Sequence, residues 1–454
     1  MRLPRTDRGR LALVLVLAAA VTVFTATVPL LRDWFDLRVY YGTVDTWIHH
    51  GGRIYDYRVP GTTYGFTYPP FAAVVMLPMT LVGLHAAIAV ALLLNLGALA
   101  FSLRVLAGRS WRRYGWYGCA LAACALALFE PLRDTFSFGQ VNILLLALVL
   151  LDCWLLSTGR ERWAGLGIGL AAAIKLTPAA FIGLLLVARR WRTAAVATAV
   201  AAAATALAAW VAPAASRFYW THAMWDTTRV GRLDYVSNQS LQGILARLGV
   251  SDRAVWAVVV LLVLGVWAAR TRRAVAAGDW TAAFALTGLT SCLVSPITWV
   301  HHLVWLLPSF AVLVRAGHVR IAGALYAVLC TSVVWLWFDD ASGVDGFLGS
   351  NMYAWITLGL LLRLPVGQSG STRSKHLARS TRDTKPAPTP VAPAIAHASA
   401  QPAPAGPPSG ATAATTGPVT GPGLGFARKA SSDPTGSTRP AASNPQSSSS
   451  PASS

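Results

Sequence analysis

The chain has 454 residues, of which 55% are hydrophobic and only 12% charged, and its formal net charge is +20. Soluble domains have a charged fraction of about 25%, so this composition argues against an ordinary soluble protein. The basic residues lie in short loops between apolar blocks. They do not form a stripe interleaved with stacking aromatic residues, so nucleic acid is not an expected partner.

Apolar blocks occupy most of the chain before residue 365. The clearest of them, each nearly free of charge, are 11–31, 85–107, 140–156, 193–212 and 254–269. Most are long enough to cross about 30 Å of hydrocarbon, where the backbone has to satisfy its own polar groups by forming helices. The pattern predicts an all-α polytopic membrane protein, with about eleven or twelve membrane helices.

Arginine-rich loops recur along the chain, for example around Arg8, Arg112, Arg190 and Arg272. Cytoplasmic loops carry an excess of Lys and Arg, so the N-terminus and these loops are expected in the cytoplasm, on the inner side of the plasma membrane. The segments then expected on the extracytoplasmic side are 32–70, 130–139, 213–238 and 339–350.

The C-terminal part of the chain differs in composition. Residues 366–454 consist mainly of Pro, Ser, Ala, Thr and Gly with scattered basic residues. Such a segment cannot build a hydrophobic core. We therefore expect a membrane domain over residues 1–365, followed by a disordered cytoplasmic tail over 366–454.

The first outer segment, 32–70, contains a helical pattern. Apolar and aromatic residues recur at helical spacing, at Leu37, Tyr40, Tyr41, Val44, Trp47 and Ile48, before Gly51 and Gly52 interrupt the pattern. This predicts a short amphipathic helix on the outer membrane surface. Asp36, at its start, has two interpretations: an N-cap for this helix, or a general base at the boundary between membrane and water.

Two apolar stretches, 163–188 and 280–315, are too short for two full spans and are expected to be hairpins of short or broken helices. The first contains Lys175 at its middle. A lysine at that depth either binds an anion or extends its side chain to the headgroups. The second contains His301 and His302. Adjacent histidines suit bidentate metal binding poorly, so no metal is expected; a phosphate contact, or packing by one of them, remains open.

Gln140 and Asn142 follow the outer segment 130–139, where the chain returns to the membrane. They either cap the start of a helix or hydrogen-bond a polar ligand. The chain has no glycine-rich loop of the nucleotide-binding kinds and no Asp-x-Asp motif, so a nucleotide-sugar is not the expected donor.

Several of these motifs together resemble glycosyltransferase family 87, over roughly residues 10–364. In chain order the motifs are Asp36-Leu-Arg38-Val-Tyr40, Gly52-Arg-Ile-Tyr-Asp56, Tyr68-Pro-Pro-Phe71, Gly139-Gln140-Val-Asn142, Ile174-Lys175-Leu-Thr-Pro178 and Ser295-Pro-Ile-Thr-Trp-Val-His301-His302. Their joint order carries the resemblance, since no single motif is decisive.

The resemblance implies a membrane enzyme of GT-C type that transfers mannose from polyprenyl-phosphate-mannose to an acceptor mannose. The acceptor would belong to a glycolipid of the phosphatidylinositol mannoside or lipomannan class, and the new linkage would be α-1,2, made with inversion on the extracytoplasmic face. By position Asp36 would be the catalytic base. Lys175, His301 and His302 would face the donor phosphate, and Arg38, Tyr68, Gln140 and Asn142 would bind substrate. No cofactor or metal is implied.

Two alternatives differ from this reading. The motifs do not fix the sugar, so a polyprenyl-phosphate arabinofuranose or glucose donor is one alternative. A lipid or sugar transporter is the other, because broken helices with a lysine at membrane depth also suit transport. A transporter commonly shows repeated halves, and this sequence has no evident internal repeat.

Overall fold

In the computed structural model the described residues are 6–27, 33–108 and 111–367, all within the first of two compact units, Met1–Lys385 and Pro386–Ser454. Nearly all of the predicted tail lies outside the described residues. Over the described ranges the fold is helical without β-strands, and a single antiparallel bridge joins Arg58 to Gly65. The predicted all-α class is confirmed.

The described part of the chain forms α-helices joined by short loops and 3₁₀ turns. The helices are α1 Asp7–Thr27, α2 Phe35–His49, α3 Pro70–Met76, α4 Leu84–Ala107, α5 Trp111–Leu128, α6 Glu130–Phe138, α7 Asn142–Ser157, α8 Leu166–Ile174, α9 Ala180–Val187, α10 Trp191–Val211, α11 Pro213–Thr221, α12 Leu241–Arg247, α13 Arg253–Ala276, α14 Trp280–Val294, α15 Leu307–Arg315, α16 Val319–Cys330, α17 Gly343–Ser350 and α18 Met352–Arg363.

Four of these helices, α1, α4, α10 and α13, are long and apolar enough to cross a membrane. They coincide with four of the predicted apolar blocks. Helices α5 and α6 form a pair bent by 75°, which adds a fifth crossing if the pair is one span. Helix length therefore supports four or five spans in the described residues, and further predicted crossings would have to use the shorter apolar helices.

The long helices turn large apolar side chains outward. Leu93 of α4 is 69% exposed, and Leu261 and Leu262 of α13 are each 66% exposed. Exposed apolar faces of this size suit lipid tails and are unfavourable in water. The membrane character of the chain thus appears on its surface as well as in its composition.

The helix predicted within residues 32–70 is confirmed: it is α2, which ends at His49. Its residues Leu37, Tyr40 and Val44 are buried within the protein, where α2 packs on α3, α4 and α6. These three side chains therefore pack on protein and not on lipid, whereas Ile48 of the same predicted pattern is 47% exposed. Helices α3, α4 and α6 cover the buried side chains of α2. Burial against protein removes apolar surface from water just as burial in lipid would.

Both stretches predicted as broken hairpins contain helix breaks. Helix α8 ends at Ile174, and Lys175 has an extended backbone (φ −147°, ψ 135°) before the chain becomes helical again. Helix α14 ends at Val294, and a 3₁₀ helix over Val300–Leu306 leads into α15. Each break places its polar residues among packed helices, where irregular backbone is tolerated.

Helix α6 is more deeply packed than an outer loop would be. Glu130, Arg133 and Asp134 are all buried on it. The carboxylate of Glu130 accepts hydrogen bonds from Trp335 Nε1 (2.7 Å) and from the hydroxyl of Tyr353. This polar contact joins α6 to the C-terminal helices and holds the elements around the site in place.

Candidate active site

Asp36 lies in the first turn of α2 and is not its N-cap. The helix begins at Phe35, its N-cap is Trp34, and no side chain caps the first turn. The N-cap interpretation is therefore wrong. Asp33 and Trp34 both have positive φ angles (47° and 54°), a conformation that costs free energy in non-glycine residues. The Trp34 amide donates to the Ser137 carbonyl at 3.0 Å, which fixes the start of α2 against the end of α6.

The carboxylate of Asp36 has an unusual electrostatic environment. Burial raises its pKa to about 6, while a hydrogen bond from Gln140 and the positive charge of Lys175 act in the opposite direction. A carboxylate with a pKa in this range takes up a proton more readily than an ordinary surface aspartate. Asp36 thus has the properties that a general base requires at neutral pH.

Three side chains from separate segments of the chain meet beside Asp36. The hydroxyls of Tyr40 and Tyr68 lie 3.0 Å apart, and each donates to Gln140 Oε1, at 3.2 and 2.9 Å. Burial is the main cause that raises the pKa of both phenols, and the Asp36 charge raises it further, so both remain protonated donors. Gln140 thereby connects the α2 end of the site to the membrane helices.

Lys175, at the break after α8, contacts this cluster from the opposite side. Its Nζ donates to Asn142 Oδ1 at 3.0 Å and to the Tyr68 hydroxyl at 3.3 Å, and it lies 4.9 Å from the centre of the Tyr68 ring. The N-cap of α7 is Val141, so Asn142 does not cap this helix. The side chain of Lys175 is therefore held inside the cluster and does not extend to the headgroups.

The two histidines occupy different surroundings. His302 Nε2 lies 2.8 Å from Lys175 Nζ, and its Nδ1 accepts the backbone N–H of Trp299 at 3.1 Å. The His301 ring is buried, 5.2 Å from the Phe138 ring, while its carbonyl accepts from Thr135 Oγ1 at 3.1 Å. The ring of His302 therefore contacts Lys175, and the ring of His301 packs against Phe138.

The contact between Lys175 and His302 favours an anion. Because His302 Nδ1 accepts a hydrogen bond, the neutral ring carries its proton on Nε2, the atom that faces the lysine. When Lys175 is charged, its ammonium group and the Nε2–H are both donors and do not satisfy each other, whereas a neutral lysine amine accepts the Nε2–H. An oxyanion that accepts from both groups removes this conflict.

Arg38 is a predicted site residue whose side chain the structure places outside the cluster, and the His301 ring packs beside the cluster against Phe138. The Arg38 guanidinium pairs with Asp33 at 2.8 Å, and its side chain is 45% exposed. Tyr40 joins the cluster although the sequence analysis named it only in a helical pattern and in a motif, and not as a site residue. Tyr40 lies one helical turn after Asp36 on α2, and this spacing in the sequence was the available signal that the two side chains are neighbours. Among the described residues, no three His, Cys, Asp or Glu side chains are grouped as metal ligands.

Comparison with known proteins identifies the family. The model of glycosyltransferase family 87 matches residues 66–296. This segment includes Tyr68, Gln140, Asn142 and Lys175, whereas Asp36 and both histidines lie outside it. No solved structure matches the chain significantly.

Curated relatives extend the match over most of the chain. A Mycobacterium tuberculosis protein named polyprenol-phosphate-mannose-dependent alpha-(1-2)-phosphatidylinositol mannoside mannosyltransferase is 33% identical over 395 residues, covering 79% of this chain and 87% of that protein. A Mycolicibacterium smegmatis protein is 35% identical over 319 residues, covering 67% of this chain and 75% of its own length; its name specifies the phosphatidylinositol pentamannoside. With its helical membrane fold, its broken helices and these matches, the chain belongs to glycosyltransferase family 87.

Proposed function

We propose that this protein transfers mannose from polyprenyl-phosphate-mannose to a mannose of a phosphatidylinositol mannoside, with inversion at the anomeric carbon and on the extracytoplasmic face. The observation that carries the proposal is the single hydrogen-bonded cluster that joins Asp36, through Gln140 and Tyr68, to Lys175 and His302. The names of the relatives support the donor and the acceptor class.

The chemistry requires one base and a positive environment. Asp36 takes the proton of the acceptor hydroxyl as that oxygen attacks the anomeric carbon and forms the new glycosidic bond. The bond from the anomeric carbon to the phosphate oxygen breaks, and polyprenyl phosphate leaves as an anion. Lys175 and His302 stabilise the charge on that oxygen, so no acid has to protonate the leaving group. One displacement from the opposite face inverts the anomeric carbon.

The donor reaches such a site through the bilayer. A polyprenyl chain is apolar and suits the lipid-facing helices, and the cluster lies between α2 and the helix breaks after α8 and α14. A transporter would not need an aspartate with a raised pKa in its outer helix. The membership of a glycosyltransferase family also favours transfer over transport.

The decisive experiment measures transfer of labelled mannose in membranes supplied with polyprenyl-phosphate-mannose. Asp36→Asn is expected to lower the transfer rate about a hundred- to ten-thousand-fold, the usual contribution of a positioned base. Binding of the donor should persist in this variant, because the contacts of Lys175 with Asn142 and His302 remain.

Asp45→Asn is the matched control. It lies on the same helix, makes the same change of charge, and its carboxylate faces His50 at 3.5 Å, outside the cluster. It should keep near-normal transfer. Normal transfer by Asp36→Asn together with an inactive Asp45→Asn would remove Asp36 from the mechanism. Equal use of nucleotide-mannose would reject the lipid donor.

A further inference from the structure

A second group of cations lies on the outer loops, apart from Lys175 and His302. Arg58 is exposed in the loop before α3, and Arg229 is partly buried in the loop after α11. The Arg229 guanidinium lies 5.3 Å from the centre of the Phe218 ring. Its Nε and Nη2 atoms are buried and find no hydrogen-bond acceptor within the described residues. Two strong donors are thus withdrawn from water without an acceptor.

The charges around Arg229 leave it without an effective carboxylate partner. Burial first, and the like charge of Arg58 second, lower the pKa of Arg229, while Asp226 acts in the opposite direction. The carboxylate of Asp226 already accepts from the amide and the hydroxyl of Thr228, at 3.0 and 2.5 Å. Arg58, whose Nη1 donates to the Thr63 carbonyl at 3.1 Å, adds its positive charge to the unused donors of Arg229. Such a pair is suited to an anion, and phosphate fits the planar fork of arginine.

Aromatic rings connect this arginine pair to the proposed active site. Phe218, which lies under Arg229, is 5.5 Å from the Tyr55 ring, and Tyr55 is 6.0 Å from Phe66. The Tyr55 hydroxyl donates to the backbone carbonyl of Tyr68 at 2.8 Å. Tyr68 in turn belongs to the Asp36 cluster. One packed aromatic wall therefore borders both cationic groups.

We propose that Arg58 and Arg229 bind the phosphodiester of the acceptor glycolipid, and this inference rests on the proposed function. The donor phosphate is bonded to the reacting sugar carbon, so it has to lie beside the transferred mannose, where Lys175 and His302 provide the cations. A separate anion site suits a second phosphate. The acceptor class carries one, in the phosphodiester that joins the inositol to the diacylglycerol.

The test compares two acceptors with the purified enzyme in nanodiscs of zwitterionic lipid. One is a phosphatidylinositol mannoside, and the other is an uncharged alkyl α-mannoside. Arg229→Gln and Arg58→Gln are each expected to raise KM for the charged acceptor about tenfold or more, since a charged hydrogen bond typically contributes enough for that change. KM for the uncharged acceptor and for the donor should stay within about twofold. Arg229→Lys, which keeps the charge, should restore part of the affinity.

Arg232→Gln is the matched control, because it makes the same charge change three residues away. The Arg232 guanidinium is already paired with Asp234 at 2.7 Å, so the variant should leave every KM unchanged. An equal rise of KM for both acceptors in Arg229→Gln would overturn the inference and make Arg229 a structural residue. A rise in donor KM would assign the pair to the donor phosphate and would overturn it as well. Tight competition by inorganic phosphate alone would show that the arginine pair binds a free anion, and this would also overturn the inference.

Binding measurements separate failure of this inference from failure of the proposed function. If the wild-type enzyme transfers mannose to neither acceptor, the proposed function fails, whereas binding of phosphatidylinositol mannoside to the wild type and to Arg229→Gln is still measurable. Tighter binding by the wild type would then support the arginine site on its own. Equal binding would reject it.

Discussion

Asp36 combines two properties that usually oppose each other, since it is largely withdrawn from water and has to be charged to act as a base. Its pKa of about 6 means that the carboxyl is mostly ionised at neutral pH and protonated in mild acid. We expect kcat/KM to fall about tenfold per pH unit below this value and to level off above it. A pH profile in nanodiscs measures this. A flat profile down to pH 5 would contradict a base with this pKa.

The same pKa makes Asp36 a cost to stability at neutral pH. The carboxyl titrates near 3.8 in the unfolded chain and near 6 in the folded protein. Between these values the folded state keeps a proton that the unfolded state has lost, so stability decreases as pH rises through this window. Asp36→Asn should therefore unfold at the same or a higher temperature than wild type at neutral pH. A clearly lower unfolding temperature in detergent would show that the charged form stabilises the fold.

Lys175 and the two histidines differ in what their removal should change. Lys175→Gln and His302→Gln should each weaken donor binding about tenfold or more and also lower turnover, because they stabilise negative charge in both the bound donor and the departing phosphate. His301→Phe keeps a ring against Phe138 and should change donor affinity less than about twofold. Donor titration of the three variants decides this. A loss confined to His301→Phe would reverse the assignment of the two histidines.

At the scale of whole elements, the contact between α2 and the end of α6 decides where Asp36 lies. Gly139, the C-cap of α6, has φ 69°, and a Cβ at this position would lie 2.6 Å from the Leu37 Cβ. Gly139→Ala should therefore push α2 away from Gln140 and lower transfer at least tenfold, because displacements of about 1 Å can cost two orders of magnitude in rate. Transfer assays on membranes with equal amounts of protein measure this.

Gly278 offers a control with the same φ angle. It also has φ 69°, but nothing lies within 4 Å of its added Cβ. Gly278→Ala should cost about 1–2 kcal/mol of stability from the left-handed conformation alone and keep its activity. If both alanine variants lost activity equally, backbone strain would explain the effect, and the position of α2 would not.

At the scale of the whole molecule, the orientation in the membrane is the prediction with the widest consequences. We expect Thr63→Cys, in the exposed loop before α3, to react with a membrane-impermeant thiol reagent in intact cells. Ala277→Cys, in the exposed loop between α13 and α14, should react only after the cells are permeabilised. The wild type, with its five cysteines, gives the background. The opposite labelling pattern would place the proposed site on the cytoplasmic face.

The sequence by itself determined which segments are helical and which of them face lipid. Blocks such as 193–212 and 254–269 became α10 and α13, because an uncharged run of that length in hydrocarbon has no alternative to a helix. It also located the helix break near Lys175, since the stretch 163–188 is too short for two full spans and has Pro178 beside the lysine at its middle. These are local properties, which the composition and spacing of residues determine.

Only the tertiary structure decided which of the singled-out residues meet. Tyr40 and Gln140 are 100 positions apart and Lys175 and His302 are 127 apart, so no periodicity predicts their contacts. Packing of α2, α6, the α8 break and the 3₁₀ helix brought these four together and left Arg38 with Asp33. The same packing also buried Leu37, Tyr40 and Val44 of α2 in protein. The sequence could not predict this, because an amphipathic pattern shows that a helix face avoids water but does not show what covers that face.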